Sequence, residues 1–214
     1  MEDLSNYRKS YDKSELLESA IPADPIQLFK QWFQEVEQFG GTEEVNAMTV
    51  STIGQDGFPR SRVVLLKKYT KEGFVFYTNY SSDKGKAIEN NPNICISFFW
   101  HSMERQVIIK GIAEKVAGTD SDTYFKSRPV GSQLGAVVSN QSEVVPSRDF
   151  LEDKLHRLEQ EYDGLLIPRP DHWGGYIVKP VEIEFWQGRA NRLHDRIRFT
   201  TQNEIDWKTE RLAP

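Results

Sequence analysis

The sequence predicts an α+β protein with a β core, and three observations carry that reading. Residues 46 to 116 contain four or five short apolar or alternating runs, separated by turn signals such as "GQDG" and "TKEG". That spacing of strands suggests an antiparallel barrel or sandwich. Helical periodicity is limited to a few capped segments around and between these runs, and no repeat, low-complexity tract or linker divides the chain.

In order, residues 1–20 read as a mobile, solvated arm with little apolar periodicity, and residues 21–214 as a single domain. Asp24-Pro25 is a helix start, with Asp as cap and Pro in the first turn. Ile26, Phe29, Trp32, Phe33, Val36 and Phe39 follow at spacings of three and four, and Gly40-Gly41 ends the helix. "NAMTVSTI", "RSRVVLLKKY" and "FVFYTNY" read as strands, "SSDKGKAIENNP" as a short helix, and "ICISFFW" with "RQVIIKGIAEKV" as a further strand pair. "DSDTYFKS" is a helix; after a loop, "SRDFLEDKLHRLEQEY" is another. "YIVKPVEIEFWQ" alternates, with Val181, Ile183 and Phe185 facing one way and Glu182, Glu184 and Trp186 the other. "DRIRFT" and "DWKTERL" complete the strands.

Composition limits the function classes. The 214 residues carry a net charge of -5, which argues against a general nucleic-acid binder. No apolar run is long enough for a membrane span, and the polar N-terminus lacks a signal peptide's apolar segment. The single cysteine, Cys95, sits in an apolar strand and reads as an inert core thiol, so a reducing, cytoplasmic setting is the default. Aromatic residues make up 12% of the chain, either as core bulk or as the lining of a site for a flat ligand; composition does not separate the two.

Rossmann, P-loop, nucleophile-elbow and metal-spacing signatures are absent. What remains are cations set into β-structure. In a regular strand Arg62 faces with Val64 and Leu66, and Lys67 with Val63 and Leu65. These are either snorkelling strand ends or anion ligands, because a buried cation needs a partner. Lys84 begins a helix, where a cation is unfavourable unless an anion sits there. Tyr124, Arg128 and Ser132 suit a phosphate monoester. "SNQS" (139–142) is a polar knot or a plain turn. In "FWQGRANRLHDRIRF" (185–199), Arg192, His194 and Arg196 alternate and share a face if the chain is extended, while Asp195 takes the opposite face, and Arg189 and Arg198 read as surface charges. Like charges on one face repel unless an anion or π-system joins them. Together the basic sites favour two phosphates in one cleft.

"RVVLLK", "FYTN", "RQV", "YFKSRP", "SQLGAVVSNQS", "HWGGY", "EFWQG", "RLHDR" and "ERLAP", in this order, resemble the pyridoxine 5'-phosphate oxidase (pyridoxamine-phosphate oxidase) family over nearly the whole chain. The resemblance implies an α+β, mainly β fold: an FMN-binding split β-barrel, antiparallel and of Greek-key type, with flanking helices. It implies a cytoplasmic homodimer with FMN at the interface. The implied reaction oxidises pyridoxine 5'-phosphate or pyridoxamine 5'-phosphate to pyridoxal 5'-phosphate with O2, giving H2O2, and NH3 from the amine. FMN contacts then fall on Arg62, Val63, Val64, Leu65, Tyr77, Thr78, Lys84, Gln106, Gln141, Ser142, Trp186 and Arg196. Substrate contacts fall on Lys67, Tyr124, Arg128 and Ser132, with Arg192 and His194 as the catalytic pair flanking its ring. The arm residues Arg8, Lys9, Ser10 and Tyr11 would close over the substrate. No metal, nucleic acid or membrane is implied. Asp83 departs from the family's usual Arg-Lys pair: it either places a negative charge near the FMN phosphate or caps the helix and points away.

Overall fold

A computed structural model describes residues 2–7, 9–203 and 206–214; Arg8, expected in the arm, lies outside them. Among the described residues five α-helices accompany nine strands, in the order α1 (Pro25–Phe39), β1 (Ala47–Ile53), β2 (Pro59–Leu65), β3 (Lys68–Thr70), β4 (Gly73–Asn79), α2 (Asp83–Asn90), β5 (Asn93–Trp100), β6 (Arg105–Lys115), α3 (Gly118–Ser127), α4 (Val130–Val138), α5 (Arg148–Glu161), β7 (Trp173–Gln187), β8 (Asp195–Thr201) and β9 (Trp207–Leu212). The strands pair along β2-β1-β5-β6-β7-β4-β3, with β8 on β7 and β9 on β8. The class is mainly β, as expected, and β4 pairs antiparallel with β3 and β7, as β8 does with β7 and β9. No helix among the described residues is long and apolar enough to cross a membrane.

The chain divides into two compact units, one of residues 1–50, 95–111 and 180–214, the other of residues 51–94 and 112–179. In the first, α1 forms as its sequence dictates. Asp24 accepts from Ile26 N at 2.8 Å, Pro25 opens the first turn, and Gly40 stops the helix at φ 75°. Its apolar face carries Phe29, Trp32 and Val36, all buried with Phe98, Trp100, Ile183, Phe185 and Phe199. Aromatic edges lock this core, with Phe29–Phe98 and Trp32–Phe185 centroids each 5.2 Å apart. Buried Ile183 and Phe185 alternate with half-buried Glu182, Glu184 and Trp186 along β7, which is the pattern its sequence carries.

In the second unit, a smaller cluster of Phe125, Leu134, Ile167 and Trp173 holds α3, α4 and the start of β7 together. Helix α4 was not expected. Pro129 gives it no side-chain cap and Gly131 and Gly135 weaken its propensity; it is held by tertiary contacts instead. Leu134 and Val138 are buried, and Lys154 Nζ on α5 donates to the Val138 carbonyl at 2.8 Å. The expected strand "RSRVVLLKKY" is also broken. β2 ends at Leu65, Leu66 turns into the core, and Lys67 N–H donates to Val75 O at 2.8 Å before β3 begins. Lys67 therefore does not share a strand face with Val63 and Leu65.

Candidate active site

The second unit contains a cleft of about 1020 Å³. Arg62, Val63, Val64 and Leu65 come to it from β2, Lys67 from the break that follows, and Tyr77 and Thr78 from the end of β4. Lys84 comes from the first turn of α2, Tyr124 and Arg128 from α3 and its end, Ser132 from α4, and Gln141 and Ser142 from the turn after α4. Every residue expected in this half of the chain to meet either ligand thus lines one cavity.

Lys84 sets the electrostatics. It is 8% exposed, and its ammonium donates to Gln141 Oε1 at 2.6 Å, Thr78 Oγ1 at 3.0 Å and Ser82 Oγ at 3.4 Å. These acceptors are neutral. Burial, and secondarily the charge of Arg62, pull its pKa from 10.5 down to about 8, with Asp83 opposing. Arg62 is shifted the same way, by burial first and then by Arg60; its Nη1 donates to Thr52 Oγ1 at 2.9 Å. Arg128 is likewise lowered by burial, and its Nη1 is buried without a hydrogen-bond partner. Burial disfavours the charged form of all three cations, and an anion bound among them would offset that cost.

The wall is aromatic. Tyr77 stacks on Tyr124 at 3.9 Å and on Trp173 at 5.6 Å, and Arg128 lies over the Trp173 ring at 4.6 Å. The corner holding Ser142 is fixed by hydrogen bonds from Asn79 Nδ2 to Ser139 O at 3.1 Å and from Asp83 N to Ser142 Oγ at 3.3 Å. Ser142 itself is left-handed, at φ 77°.

Asp83 does not cap α2; Ser82 does, accepting from Gly85 N. Instead the Asp83 carboxylate pairs with Arg60, and both line the cleft. Sequence reasoning missed Arg60, because nothing along the chain shows that residues 60 and 83 meet.

The other expected residues belong to the first unit. Gln106 lies on β6, and Trp186 on β7 stands opposite Arg196 on β8. Arg196 is held bidentately by Glu184, at 2.8 and 3.1 Å, and donates to the Ala213 carbonyl. The alternating face expected for Arg192, His194 and Arg196 does not form. Residues 190–192 make a 3-10 turn with Asn191 and Arg192 left-handed, and β8 begins only at Asp195. His194 packs on Trp186 at 4.7 Å and accepts from Arg189 N at Nδ1, 3.0 Å. That bond uses the Nδ1 lone pair, so Nε2 carries the proton of the neutral ring. Arg189 and Arg198 are not idle surface charges: Arg189 bridges Glu15 and Asp195, and Arg198 pairs with Glu210. Asp195, its side chain 13% exposed, accepts from Leu16 N, Arg189 and Arg211. In the arm, Lys9 and Ser10 are exposed, whereas Tyr11 is partly buried and packs on Trp186 and His194 at 5.8 and 5.9 Å.

Desolvated cations beside stacked aromatics, in a cleft of an antiparallel β protein, define a site class suited to flat, phosphorylated ligands. Comparison with known proteins gives that class a family. Residues 33–162 match the family model "Pyridoxamine 5'-phosphate oxidase", and residues 173–214 match "Pyridoxine 5'-phosphate oxidase C-terminal dimerisation region". The pyridoxine/pyridoxamine 5'-phosphate oxidase of Flavobacterium johnsoniae is 69% identical over 213 residues, covering 100% of both chains. That of Flavobacterium psychrophilum is 69% identical over 214 residues, again covering 100% of both. Among solved structures, PhzG from Burkholderia lata 383, in complex with tetrahydrophenazine-1-carboxylic acid, superposes with a TM-score of 0.87 at 28% identity, covering 96% of this chain and 100% of that one. The chain belongs to the pyridoxamine 5'-phosphate oxidase family and is an enzyme of the oxidoreductase class.

Proposed function

We propose that the protein is a homodimeric, cytoplasmic FMN-dependent oxidase. It would convert pyridoxine 5'-phosphate and pyridoxamine 5'-phosphate to pyridoxal 5'-phosphate with O2, giving H2O2, and NH3 from the amine. The observation that carries the reading is Lys84: a buried ammonium in a roomy cleft whose hydrogen-bond acceptors Gln141, Thr78 and Ser82 are all neutral. The donor set fits FMN. Lys84 and Arg62 would hold its phosphate with Ser142, and Val63, Val64, Leu65, Tyr77, Thr78 and Gln141 would line its remaining length. Gln106, Trp186 and Arg196 would contribute to the same cofactor at a subunit interface; the match of residues 173–214 to a dimerisation region supports that role.

Bound FMN would supply the two-electron oxidation of the substrate's C4' carbon and pass the electrons to O2. The protein's part is positioning and charge. Arg128, its buried Nη1 in want of an acceptor, would bind the substrate phosphate with Lys67, Tyr124 and Ser132. His194, held by Arg189 N in the Nε2–H form, would present a hydrogen-bond donor to the substrate ring. Arg192, exposed on its left-handed turn, would add positive charge there and stabilise a ring oxyanion. The arm, through Lys9, Ser10 and Tyr11, would cover the bound substrate.

Reconstitution with FMN followed by assay of both substrates tests the proposal. Aldehyde formation with oxygen uptake is the expected result. A protein that cannot take up FMN sinks the flavin reading, and a yellow protein inert toward both substrates sinks the oxidase reading.

A further inference from the structure

Glu104 stands where the chain turns from residues 101–103 into β6. Its backbone is left-handed, at φ 55° and ψ 42°, which is uncommon for a residue with a side chain of this size. Its side chain is 1% exposed. A carboxylate so buried needs partners, and they come from the N-terminal segment. Oε2 accepts from Asp12 N at 3.0 Å and from Lys13 N at 3.2 Å. Lys9 Nζ lies 3.4 Å from Oε1, an ion pair without hydrogen-bond geometry. The Glu104 carbonyl accepts from Gly188 N at 2.8 Å and from Gln187 Nε2 at 3.3 Å. The residue thus grips the arm with its side chain and the segment after Trp186 with its main chain. Tyr11 lies on that same segment: a Cβ added to Gly188 would come within 2.8 Å of Tyr11 Cγ and 2.9 Å of its Cβ.

We propose that Glu104 is a positioning residue, seating the arm so that Tyr11 rests against Trp186 and His194. The consequence for catalysis rests on the oxidase reading above; the seating does not. A Tyr11 already in place spares the substrate the entropy of ordering the segment, so loss of Glu104 weakens binding more than turnover.

The experiment uses Glu104→Gln and Gly188→Ala in the full chain, with amide exchange measured without substrate and kinetics measured after FMN loading. Gln keeps the size and one acceptor oxygen but loses the charge that strengthens the bonds to the arm. Exchange at Asp12 and Lys13 is expected to quicken at least about tenfold, with KM up about fivefold and kcat within about twofold. Gly188→Ala leaves the carboxylate in place and puts a methyl group where Tyr11 lies, so KM rises likewise. Unchanged exchange at Asp12 and Lys13 in Glu104→Gln overturns the seating. Faster exchange with unchanged KM in both variants overturns the positioning role. A wild-type protein that makes no aldehyde fails the oxidase reading instead, and amide exchange still decides the seating.

Discussion

Lys84 Nζ donates to Gln141 Oε1 at 2.6 Å, so two residues 57 positions apart meet in the wall of the cleft. This contact ties α2 to the turn after α4, and its chemistry is lopsided. An ammonium is satisfied in hydrogen bonds but not in charge.

A first prediction follows from that imbalance. The Lys84 pKa lies near 8 when folded, against 10.5 ordinarily. Between those values the unfolded chain holds more protons, so the apoprotein gains stability as pH rises through that window, by about 1–3 kcal/mol. FMN binding has the opposite slope: the phosphate favours the charged ammonium, and affinity falls as pH climbs above about 8. Fluorescence titration of apoprotein with FMN at neutral pH and near pH 9 checks this. Lys84→Met should melt no lower than wild type in the apo form yet bind FMN at least about thirtyfold more weakly, a loss of ~2 kcal/mol.

Arg60 gives the second. Its pairing with Asp83 is largely exposed, so the pair itself adds little stability. Arg60→Ala removes a cation from the cleft and leaves the Asp83 charge unopposed, and both changes disfavour a phosphate. FMN affinity is expected to drop about fivefold at low salt, with the difference shrinking toward zero near 0.5 M salt. Tighter binding by the variant would contradict an electrostatic contribution of Arg60 to phosphate binding in the cleft.

Arg128 separates the two ligands. Lying over Trp173 with one nitrogen buried and unpartnered, it depends on a planar fork that lysine lacks. Arg128→Lys should raise the KM for pyridoxine 5'-phosphate by about tenfold or more while leaving FMN affinity within about twofold. Equal losses for both ligands would show that the two phosphate groups had been assigned wrongly.

His194 offers the fourth. Because Arg189 N–H occupies Nδ1, the useful edge of the ring is Nε2–H. Gln can place an amide nitrogen near Nε2, whereas the shorter Asn cannot. Steady-state assays should rank wild type above His194→Gln above His194→Asn, with Asn down by about tenfold or more in kcat/KM.

How much of this was legible in the sequence depended on whether the cause was local. Asp24-Pro25 and Gly40 bound α1 through caps that neighbouring residues supply, and they appear in the structure as read. The alternation of β7 was equally plain, because burial of Ile183 and Phe185 repeats every second residue. Helix α4 was invisible because Gly131 and Gly135 argue against it locally, and its support comes from Phe125, Trp173 and Lys154. In the site, the residue types expected around a phosphate do line one cleft, but their partners did not show. Arg189, Asp195 and Arg211 form one network only because β8, β9 and the arm converge. The left-handed pair Asn191-Arg192 defeated the assumption of an extended chain. Glu104 carried no signal at all: an acid in a polar loop looks solvated until the fold buries it.

Asp195 accepts from Leu16 N near the start of the chain and from Arg211 near its end, and Arg211 also reaches Glu18 and the Leu16 carbonyl. Residues 16–18 are therefore fastened to Asp195 and Arg211 by charged hydrogen bonds. Trimming the last four residues would cut this fastening and also remove the Ala213 carbonyl that holds Arg196. An affinity tag fused directly after Pro214 would sit beside the same knot, whereas a handle spaced well away from it would leave both ends at rest.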